Sequence, residues 1–357
     1  MSHNFRTFAD MHKPKIDRQL RVAVKGAATD TTSQPAYTEL LRQIQVLVGR
    51  GGKRLRPLLC VLAYQAYGGK NGADIYRAAA AQELIHSYLL IHDDVIDRDY
   101  HRWGGRNILG IYFDRFSRLL IPTEALHQAE ARALLAGDIC ATLANTVLLE
   151  TSFPDNLKLQ AFQLQQQAIM RVMAGELADT AFPYQKVFPT EQQILQAYAD
   201  KTASYSFVLP LQVGATLAGV PTSELERLQG FARNVGIAYQ LQDDILGVFG
   251  DETLTGKPNS GDIREGKRTV LVLKTIEALA ADDLHIFMTL LGDDQLTDSD
   301  LQKARDLMVT SGSQEYVVKL IEDYIAEALA SLAKTNMAEV SRALLEDFVQ
   351  QLVGRDY

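Results

Sequence analysis

Apolar residues recur at spacings of three and four along most of the chain, which places them on one face of an α-helix. Strand-like alternation of apolar and polar residues is rare. Turn signals rich in Gly and Pro, such as YGGKNGAD, RWGGR and TSFPDN, separate the helical stretches. The pattern predicts an all-α fold, and one long helix is expected from GVPTSE through QDDILGVF.

Chain length and composition bound the domain organisation. With 357 residues, of which 47% are hydrophobic, the chain can bury a substantial core, and it shows no repeat or linker. We therefore interpret residues 1–357 as one helical domain. Within it, residues 1–35 are interpreted as an irregular and partly mobile segment.

Charge and cysteine content exclude several classes of protein. The net charge of −8, from 36 Lys and Arg against 44 Asp and Glu, argues against general nucleic-acid binding. Cys60 and Cys140 lie in apolar surroundings, so neither a disulfide framework nor a zinc cluster is indicated. No signal-peptide pattern and no apolar run of about 18 residues occurs, so we expect a cytoplasmic protein without a membrane span.

The segment YLLIHDDVIDRD sets an apolar run against a cluster of carboxylates. Buried carboxylates are costly unless they are paired or bind a metal. On a helix Asp93 and Asp97 share a face, and Asp94 lies three residues before Asp97. Such an arrangement suits Mg²⁺, which prefers oxygen ligands, although a solvated acidic helix end explains this cluster alone equally well.

A second acidic pair follows another amphipathic run. The segment YQLQDDILGVF carries Asp243 and Asp244, and Gly247 stands where a third acid would complete the symmetry with the first cluster. Two apolar helices that each end in an Asp pair predict a site with more than one Mg²⁺, because a core rejects such carboxylates unless cations lie between them.

Basic residues supply the complementary charge. The segment GGKRLRP places Lys53, Arg54 and Arg56 beside a helix amino terminus, an arrangement that binds phosphate readily. Taken alone, the segment is more typical of an ordinary basic turn, and only the other signals favour phosphate binding. His86 lies seven residues, or two helical turns, before Asp93, where a merely packed histidine is the alternative. Further cations occur in loops or at helix breaks: Arg102, Arg106, Lys201, Lys257, Lys267 and Arg268. Together with the two Asp pairs they predict a pocket for more than one diphosphate.

These residues resemble the trans-prenyltransferase family of polyprenyl diphosphate synthases, and in particular geranylgeranyl diphosphate synthases. The resemblance is carried by GGKRLRP, HDDVID, AGELAD, DKTASY, YQLQDD and GDIREGKRT, in the family's order from Gly51 to Thr269. It implies an isoprenoid synthase-type helical bundle around a central cavity, normally a homodimer. It also implies Mg²⁺-dependent head-to-tail condensation of isopentenyl diphosphate with an allylic diphosphate in isoprenoid biosynthesis.

The resemblance assigns roles by position in the quoted motifs. It implies three Mg²⁺ per active site, held by Asp93, Asp97 and Asp243 with support from Asp94 and Asp244. The positions that match allylic-diphosphate contacts are Arg102, Lys201 and Lys257, with Lys267 at the family's other basic loop position. Those that match isopentenyl-diphosphate contacts are Lys53, Arg56 and His86. Polar residues toward the metals and the reacting carbons are Gln240, Asp179 and Thr202.

The implied chemistry needs no protein nucleophile. The allylic C–O bond breaks under the charge of metals, Lys and Arg, and the alkene of the second substrate attacks the resulting cation. That cation must be kept from water, and Tyr239 and Phe207 are candidates for stabilising it with their ring faces.

Three features depart from the family pattern. Trp103 stands where a second arginine is usual, so one contact to isopentenyl diphosphate is missing or moved to Arg106. Gly247 interrupts the second acidic motif, a change associated with many geranylgeranyl-type enzymes. Residues 108–128 match no family pattern and are interpreted as a local insertion beside the pocket.

Product length is expected to depend on the residues below Asp93. Leu89, four residues before it, stacks one helical turn beneath it, whereas Tyr88 is turned by about 140° on an ideal helix. Helical geometry alone does not place Tyr88 in a tunnel. The resemblance does, and a single aromatic residue there is similar to enzymes that stop near twenty carbons; an aromatic pair would indicate farnesyl diphosphate, and small residues longer chains.

Three other functions remain alternatives. A class I terpene cyclase shares the first acidic motif but needs no isopentenyl site, and GGKRLRP counts against it. A phosphohydrolase with a His-Asp doublet is suggested by His92 and Asp93, yet it would require further histidine ligands. A non-catalytic subunit of a two-component prenyl synthase would explain Trp103 and Gly247, although Lys201, Asp243 and the other motif residues argue for catalysis.

Overall fold

The computed structural model describes residues 4–27, 34–250 and 261–353, and this part of the chain is almost entirely helical. The first helices are α1 (Phe5–Gly26), α2 (Pro35–Gly49), α3 (Leu55–Ala66), α4 (Ala73–Ile96), α5 (Ile108–Phe116), α6 (Pro122–Leu149) and α7 (Asp155–Ala181). A 3₁₀ turn (Phe182–Tyr184), α8 (Glu191–Tyr198), a π-helical segment (Ala199–Val208), α9 (Leu209–Leu217) and α10 (Thr222–Phe249) follow. After them come α11 (Gly261–Arg264), α12 (Val270–Ala278), α13 (Ala281–Leu290), α14 (Asp298–Thr310), α15 (Ser313–Leu332) and α16 (Glu339–Val353). The predicted all-α fold is confirmed, and α10 is the long helix expected through QDDILGVF.

The chain divides into two compact units. The first comprises Met1–Leu164, Pro210–Pro221 and Met337–Ser341, and the second comprises Gln165–Leu209, Thr222–Asn336 and Arg342–Tyr357. The interpretation of residues 1–357 as one domain stays a prediction.

The first unit is built around α4. This helix packs along α6 and also contacts α1 and α3. On α6 a row of small residues is fully buried, including Ala129, Ala133, Ala136 and Cys140, which lets the two helices approach closely. Between α4 and α5 a two-stranded hairpin, β1 (His101–Arg102) and β2 (Gly105–Arg106), is antiparallel with His101 opposite Arg106.

The amino-terminal segment differs from the expectation for residues 1–35. Residues 5–26 form the regular helix α1, whose buried face includes Ile16, Leu20 and Val24 and packs against α4. On the same helix, Nδ1 of His12 is hydrogen-bonded to the Tyr76 hydroxyl of α4 at 2.9 Å. The interpretation as an irregular segment was therefore wrong for these residues, because polar residues between the buried positions hide the apolar stripe.

The second unit is built around α10. This helix packs along α15 and against the π-helical segment. A Cβ atom on Gly236 of α10 would collide with Cα and Cβ of Ala203, so the glycine permits a close approach of the two backbones. A continuous core follows, formed among others by Ile245, Phe287 and Ile321.

One described helix, α6, has the length and composition of a possible membrane span. Its best window has a mean hydropathy of 1.3, and 39% of that window is buried in the protein. Length and composition are weak support for a span, because the core helix of a globular protein passes the same test. The expected cytoplasmic location and the expected absence of a span stay predictions.

Candidate active site

The first acidic cluster lies at the carboxyl end of α4, where Arg102 of the hairpin pairs with it. The Arg102 guanidinium donates from Nε to Oδ1 of Asp94 at 2.7 Å and from Nη2 to Oδ2 of Asp93 at 3.4 Å, and Nη2 also lies 2.6 Å from Oδ1 of Asp94. Asp97 follows the last residue of α4 and is exposed, with its backbone N–H donating to the Asp93 carbonyl. The structure thus brings Asp93, Asp94 and Arg102 together, as the sequence predicts.

Asp94 and Asp93 occupy different environments although they are neighbours. Asp94 is buried, and this burial raises the pKa of its carboxyl from 3.8 to about 6 against the opposing effect of Arg102. Asp93 is only half-buried. This difference agrees with the implied roles, in which Asp93 faces a metal and Asp94 supports the site.

The GGKRLRP segment is anchored by a buried arginine. Arg54 adopts a left-handed conformation with φ +53° just before α3. Its guanidinium donates to Asp17 of α1 at 2.8 Å, to Glu83 of α4 at 2.7 Å and to the Val48 carbonyl at 2.6 Å. Arg54 is thereby committed to the protein interior, which leaves Lys53 and Arg56 as the substrate-binding candidates of this segment.

His86 lies among the cations of the first unit. Desolvation of its ring, followed by the charges of Arg56, Arg102 and Arg54, holds the pKa of His86 well below its usual value. A neutral imidazole surrounded by several cations is an environment that attracts an anion. The roles of His86 and Arg56 as isopentenyl-diphosphate contacts stay predictions.

The hairpin and the glycine loop, residues 50–52 between α2 and α3, border an open pocket. It has a volume of about 570 Å³ and is lined by Arg50, Gly51, Gly52, Trp103, Gly104 and Gly105. Trp103 and Gly104 form the two-residue turn, and both have positive φ, +53° and +71°. A left-handed conformation costs a non-glycine residue on the order of 1 kcal/mol, so the hairpin holds Trp103 in a strained backbone.

Arg106 forms an ion pair with residues 108–128, the stretch without a family pattern. Its guanidinium makes two parallel bonds to Asp114 of α5, at 2.9 and 2.8 Å. This ion pair explains one effect of residues 108–128, which form α5 and the start of α6, and it argues against Arg106 as the replacement for a second arginine at position 103. No local sequence pattern indicated a role for Asp114.

Tyr88 and His92 lie on the side of α4 that faces α6. The Tyr88 ring is buried and meets the His92 ring edge-on at 4.8 Å. His92 Nε2 is 3.0 Å from the Leu134 carbonyl of α6, and a Cβ on Gly137 would collide with its ring. Leu89 is half-buried. Because His92 is committed to α6, the His-Asp doublet of a phosphohydrolase is disfavoured.

In the second unit Lys201 pairs with two acids of α7. Its Nζ lies 2.6 Å from Oδ2 of Asp179 and 2.9 Å from Oε2 of Glu176. A Cβ on Gly175 would collide with the Lys201 backbone, so glycine allows α7 to pass close to the π-helical segment. Asp179 was predicted near the site, whereas Glu176, which belongs to the same AGELAD motif, was not.

The second Asp pair belongs to a hydrogen-bond chain. The Thr202 hydroxyl donates to the Gln240 side-chain oxygen at 2.8 Å, and Gln240 Nε2 donates to Oδ1 of Asp244 at 3.0 Å. The Tyr198 hydroxyl donates to the other carboxylate oxygen of Asp244. Burial, followed by the charge of Asp262, raises the pKa of Asp244 well above its usual value. Asp243 beside it is half-buried.

Gly247 is adjacent to the carboxylate of Asp262. A Cβ on Gly247 would collide with Oδ2 of Asp262, which comes from α11. Lys267 pairs with Asp262 at 3.2 Å and with Glu265 at 3.3 Å. The departure at Gly247 therefore has a physical reason, because the space beside it is used by an acid from another segment. Neither Asp262 nor Tyr198 was identified from the sequence, since their proximity arises only on folding.

Four further residues named from the sequence are Lys257, Arg268, Phe207 and Tyr239. Lys257 lies outside the described residues. Arg268 donates to the carbonyls of Pro183, Gln185 and Val187, and so it fixes the α7–α8 connection. The Phe207 ring is fully buried beside Tyr239, at 5.5 Å between ring centroids, while Tyr239 is half-buried.

The donor chemistry fits a hard divalent cation that shares its ligands with a substrate. Among residues 4–27, 34–250 and 261–353, no group of three or more His, Cys, Asp or Glu is close enough to hold a metal alone. Mg²⁺ usually binds through one or two carboxylates plus water and substrate phosphates. The half-buried Asp93 and Asp243 offer such carboxylates in their respective units.

Comparisons with known proteins agree with this geometry. The sequence model of the family described as Polyprenyl synthetase matches residues 37–308. A geranylgeranyl diphosphate synthase of Sulfolobus acidocaldarius is 33% identical over 284 residues, covering 79% of this chain and 80% of the relative. A (2E,6E)-farnesyl diphosphate synthase of Mycobacterium bovis is 30% identical over 308 residues, covering 85% of this chain and 80% of that protein.

A solved structure is similar over nearly the whole chain. The geranylgeranyl pyrophosphate synthase of Corynebacterium glutamicum, complexed with isoprenyl diphosphate and magnesium, has a TM-score of 0.87 and 25% identity. The similarity covers 98% of this chain and 99% of that one. With its isoprenoid synthase helical fold, the chain belongs to the polyprenyl synthetase family and is a trans-prenyltransferase.

Proposed function

We propose that this protein joins isopentenyl diphosphate head-to-tail to an allylic diphosphate in a Mg²⁺-dependent reaction, with geranylgeranyl diphosphate as the main product. The observation that carries the proposal is the pairing of acids with cations at the predicted motifs of each unit: Arg102 with Asp94, and Lys201 with Asp179. Apolar helices that carry such pairs at their ends suit a substrate with a charged head and an apolar tail.

The cations of the two units act on the diphosphate groups. Arg102 and Lys201 bind the leaving diphosphate of the allylic substrate, and Lys53, Arg56 and the neutral His86 hold that of isopentenyl diphosphate. Lys257 completes the allylic set, and Lys267 is a further basic residue of the substrate site. Mg²⁺, three ions per site, supplies further positive charge when it is bound by Asp93, Asp97 and Asp243 together with the diphosphate oxygens.

Bond changes in the condensation balance without a protein nucleophile. The allylic C–O bond breaks, the alkene carbon of isopentenyl diphosphate forms the new C–C bond, and a proton leaves the resulting cation for the released diphosphate. The chain's part is to orient both substrates and to exclude water. The Thr202 hydroxyl, held by Gln240, presents oxygen toward the reacting carbons, and Tyr239 offers a ring face.

Tyr88 is the proposed floor for the growing chain. Its ring is buried on the α6 side of α4, one turn and a half below Asp93, and it is held against His92. Replacing it with Ala would open space in that direction, while Leu89→Ala tests the neighbouring face.

The deciding experiment incubates the purified protein and Mg²⁺ with labelled isopentenyl diphosphate and dimethylallyl, geranyl or farnesyl diphosphate in turn. A dominant twenty-carbon product that lengthens in Tyr88→Ala supports the mechanism and the floor. A dominant fifteen-carbon or much longer product keeps the mechanism and rejects the floor. No product from any starter would favour the non-catalytic subunit.

A homodimer is part of the proposal. Two helices expose apolar side chains, among them Leu135 of α6, 57% exposed, and Leu177 of α7, 71% exposed. Exposed apolar side chains on long helices are typical of a protein interface, and a second copy is the proposed occupant. Sedimentation analysis should show a dimer that Leu135→Glu or Leu177→Glu weakens, while the control Met288→Glu on α13 does not. A monomeric wild-type protein would contradict this.

A further inference from the structure

The pocket between the glycine loop and the hairpin has one arginine side chain in its lining. Its other lining residues are Gly51, Gly52, Gly104, Gly105 and Trp103. Four glycines leave backbone N–H groups uncovered by side chains, and a Cβ on Gly51 or Gly104 would meet no atom within 4 Å. Bare backbone and a guanidinium together form a surface suited to phosphate oxygens.

Arg50 also ties the two walls of this pocket together. Its Nη2 donates to the Arg106 carbonyl at 2.7 Å and its Nη1 to the Arg102 carbonyl at 3.4 Å. The guanidinium lies flat over Gly105, with its atoms 3.5 Å from the Cβ position of that residue. These two bonds use only some of the N–H donors of a guanidinium, so the group can donate to a ligand as well.

The other candidate for a second arginine is already paired. Arg106 makes two parallel hydrogen bonds to Asp114, which neutralise its charge and occupy one edge of its guanidinium. Position 103 itself carries an indole, which cannot bind a diphosphate through charge. Arg50 is the arginine that lines the pocket and whose side-chain bonds, as described, go to backbone carbonyls and to no carboxylate.

We propose that Arg50 is a substrate-binding residue that donates to the diphosphate of isopentenyl diphosphate in this pocket, in place of an arginine at position 103. The inference rests on the proposed function for the identity of the substrate. It assigns Arg50 a second effect, which is to hold the hairpin that carries Arg102 at a fixed distance from the glycine loop.

Trp103 allows a test that does not depend on catalysis. It is the single tryptophan of the chain, is 52% exposed and lines the pocket, so intrinsic fluorescence should report occupancy directly. Titration of the full-length protein with isopentenyl diphosphate, and separately with inorganic diphosphate, should give a saturable change. Arg50→Gln should weaken both by about tenfold, the usual effect of losing a charge-assisted hydrogen bond.

Steady-state kinetics add a second readout. Arg50→Gln should raise the KM for isopentenyl diphosphate about tenfold. The KM for the allylic diphosphate should rise by no more than about twofold, because Arg102 keeps its ion pair with Asp94 when Arg50 is lost. Arg50→Lys, which keeps the charge, should be affected less. Arg42→Gln is the matched control, because Arg42 is an exposed arginine that pairs with Glu39 away from the pocket.

Several outcomes would overturn the inference. They are a wild-type protein that forms product without any Trp103 response, an Arg50→Gln variant that binds like wild type, and an Arg106→Gln variant that loses more affinity than Arg50→Gln. Failure of the proposed function looks different: no product forms from any starter, while the Trp103 titrations and their dependence on Arg50 persist, which would still support the assignment of Arg50.

Discussion

At the scale of single residues, Arg54 shows how a buried ion cluster positions binding groups that it does not itself supply. The Arg54 side chain is almost completely enclosed, and its two carboxylate partners come from α1 and α4. The residue adopts a left-handed conformation that the guanidinium contacts hold in place. Lys53 directly precedes Arg54 and Arg56 lies in the first turn of α3, so the positions of both depend on this interaction in the interior.

We expect Arg54→Gln to lower the free energy of unfolding by about 3–5 kcal/mol, because it leaves the buried Glu83 without its cation. Urea denaturation monitored by circular dichroism measures this. Arg42→Gln removes an exposed ion pair of α2 and should stay close to wild type. Equal effects of the two substitutions would show that the buried cluster contributes nothing beyond a surface pair.

The sequence predicted which residues form the two acidic clusters but not how they are paired. Asp93, Asp94 and Arg102 are close in the chain, so a helix and a short hairpin bring them together. Tyr198 and Asp244 are far apart in the chain, and only the packing of α8 against α10 makes them partners. Residues whose roles depend on such long-range contacts carry no local pattern, and sequence reasoning missed them for that reason.

At the scale of elements, a buried histidine contributes to the docking of α1 on α4. His12 packs on the Phe8 ring at 4.2 Å between centroids and is hydrogen-bonded to Tyr76 of α4. Burial, followed by the charge of Lys15, lowers the pKa of His12 from 6.5 to about 4. Because the lowered pKa belongs to the folded state, the unfolded chain binds more protons between these two values.

Stability should therefore fall as the pH is lowered through 6.5 toward 4. Between pH 7.5 and pH 5, His12 should lower the free energy of unfolding by about 2 kcal/mol, because each pH unit below 6.5 lowers it by about 1.4 kcal/mol. His12→Asn keeps a polar partner for Tyr76 without a titrating ring, and it should flatten the slope by that amount. Parallel pH profiles of unfolding free energy for the two proteins would contradict the assignment.

The contact between α10 and the π-helical segment depends on Gly236. A methyl group there would collide with the backbone and side chain of Ala203. We expect Gly236→Ala to destabilise the protein by about 1–3 kcal/mol through overpacking, measured as a lower urea midpoint. Gly230→Ala on the same helix meets Ser331 at 3.4 Å or more, so it should be neutral or stabilising by up to about 1 kcal/mol through helix propensity.

At the scale of the whole molecule, helical periodicity and the motif set were enough to predict the fold class and the enzyme class. They were insufficient for α1, where polar residues separate the buried positions of the stripe. They also gave no indication of the Arg106–Asp114 pair, which depends on a stretch without a family pattern. The general fold follows from many redundant apolar positions, whereas each of these contacts rests on one or two side chains.

Charge pairing throughout the molecule predicts how the protein responds to its ligands. In the structure, Arg102, Lys201 and Lys267 each pair with carboxylates of their own unit. Mg²⁺ alone must compete with these cations for the acids, and diphosphate alone must compete with the acids for the cations. When both ligands bind, Mg²⁺ takes the place of the Lys and Arg side chains at the carboxylates, and diphosphate takes the place of the carboxylates at the Lys and Arg side chains. No charged side chain is then left without a partner.

Thermal unfolding should show this coupling. Either Mg²⁺ or inorganic diphosphate alone is expected to shift the Tm by no more than about 1 °C, whereas both together should raise it by about 5 °C at saturating concentrations. Ca²⁺ with diphosphate tests whether a larger divalent ion substitutes. If Mg²⁺ alone gives the full shift, the carboxylates bind the metal without a substrate phosphate. The ion pairs of Arg102, Lys201 and Lys267 then do not couple the binding of Mg²⁺ to that of diphosphate.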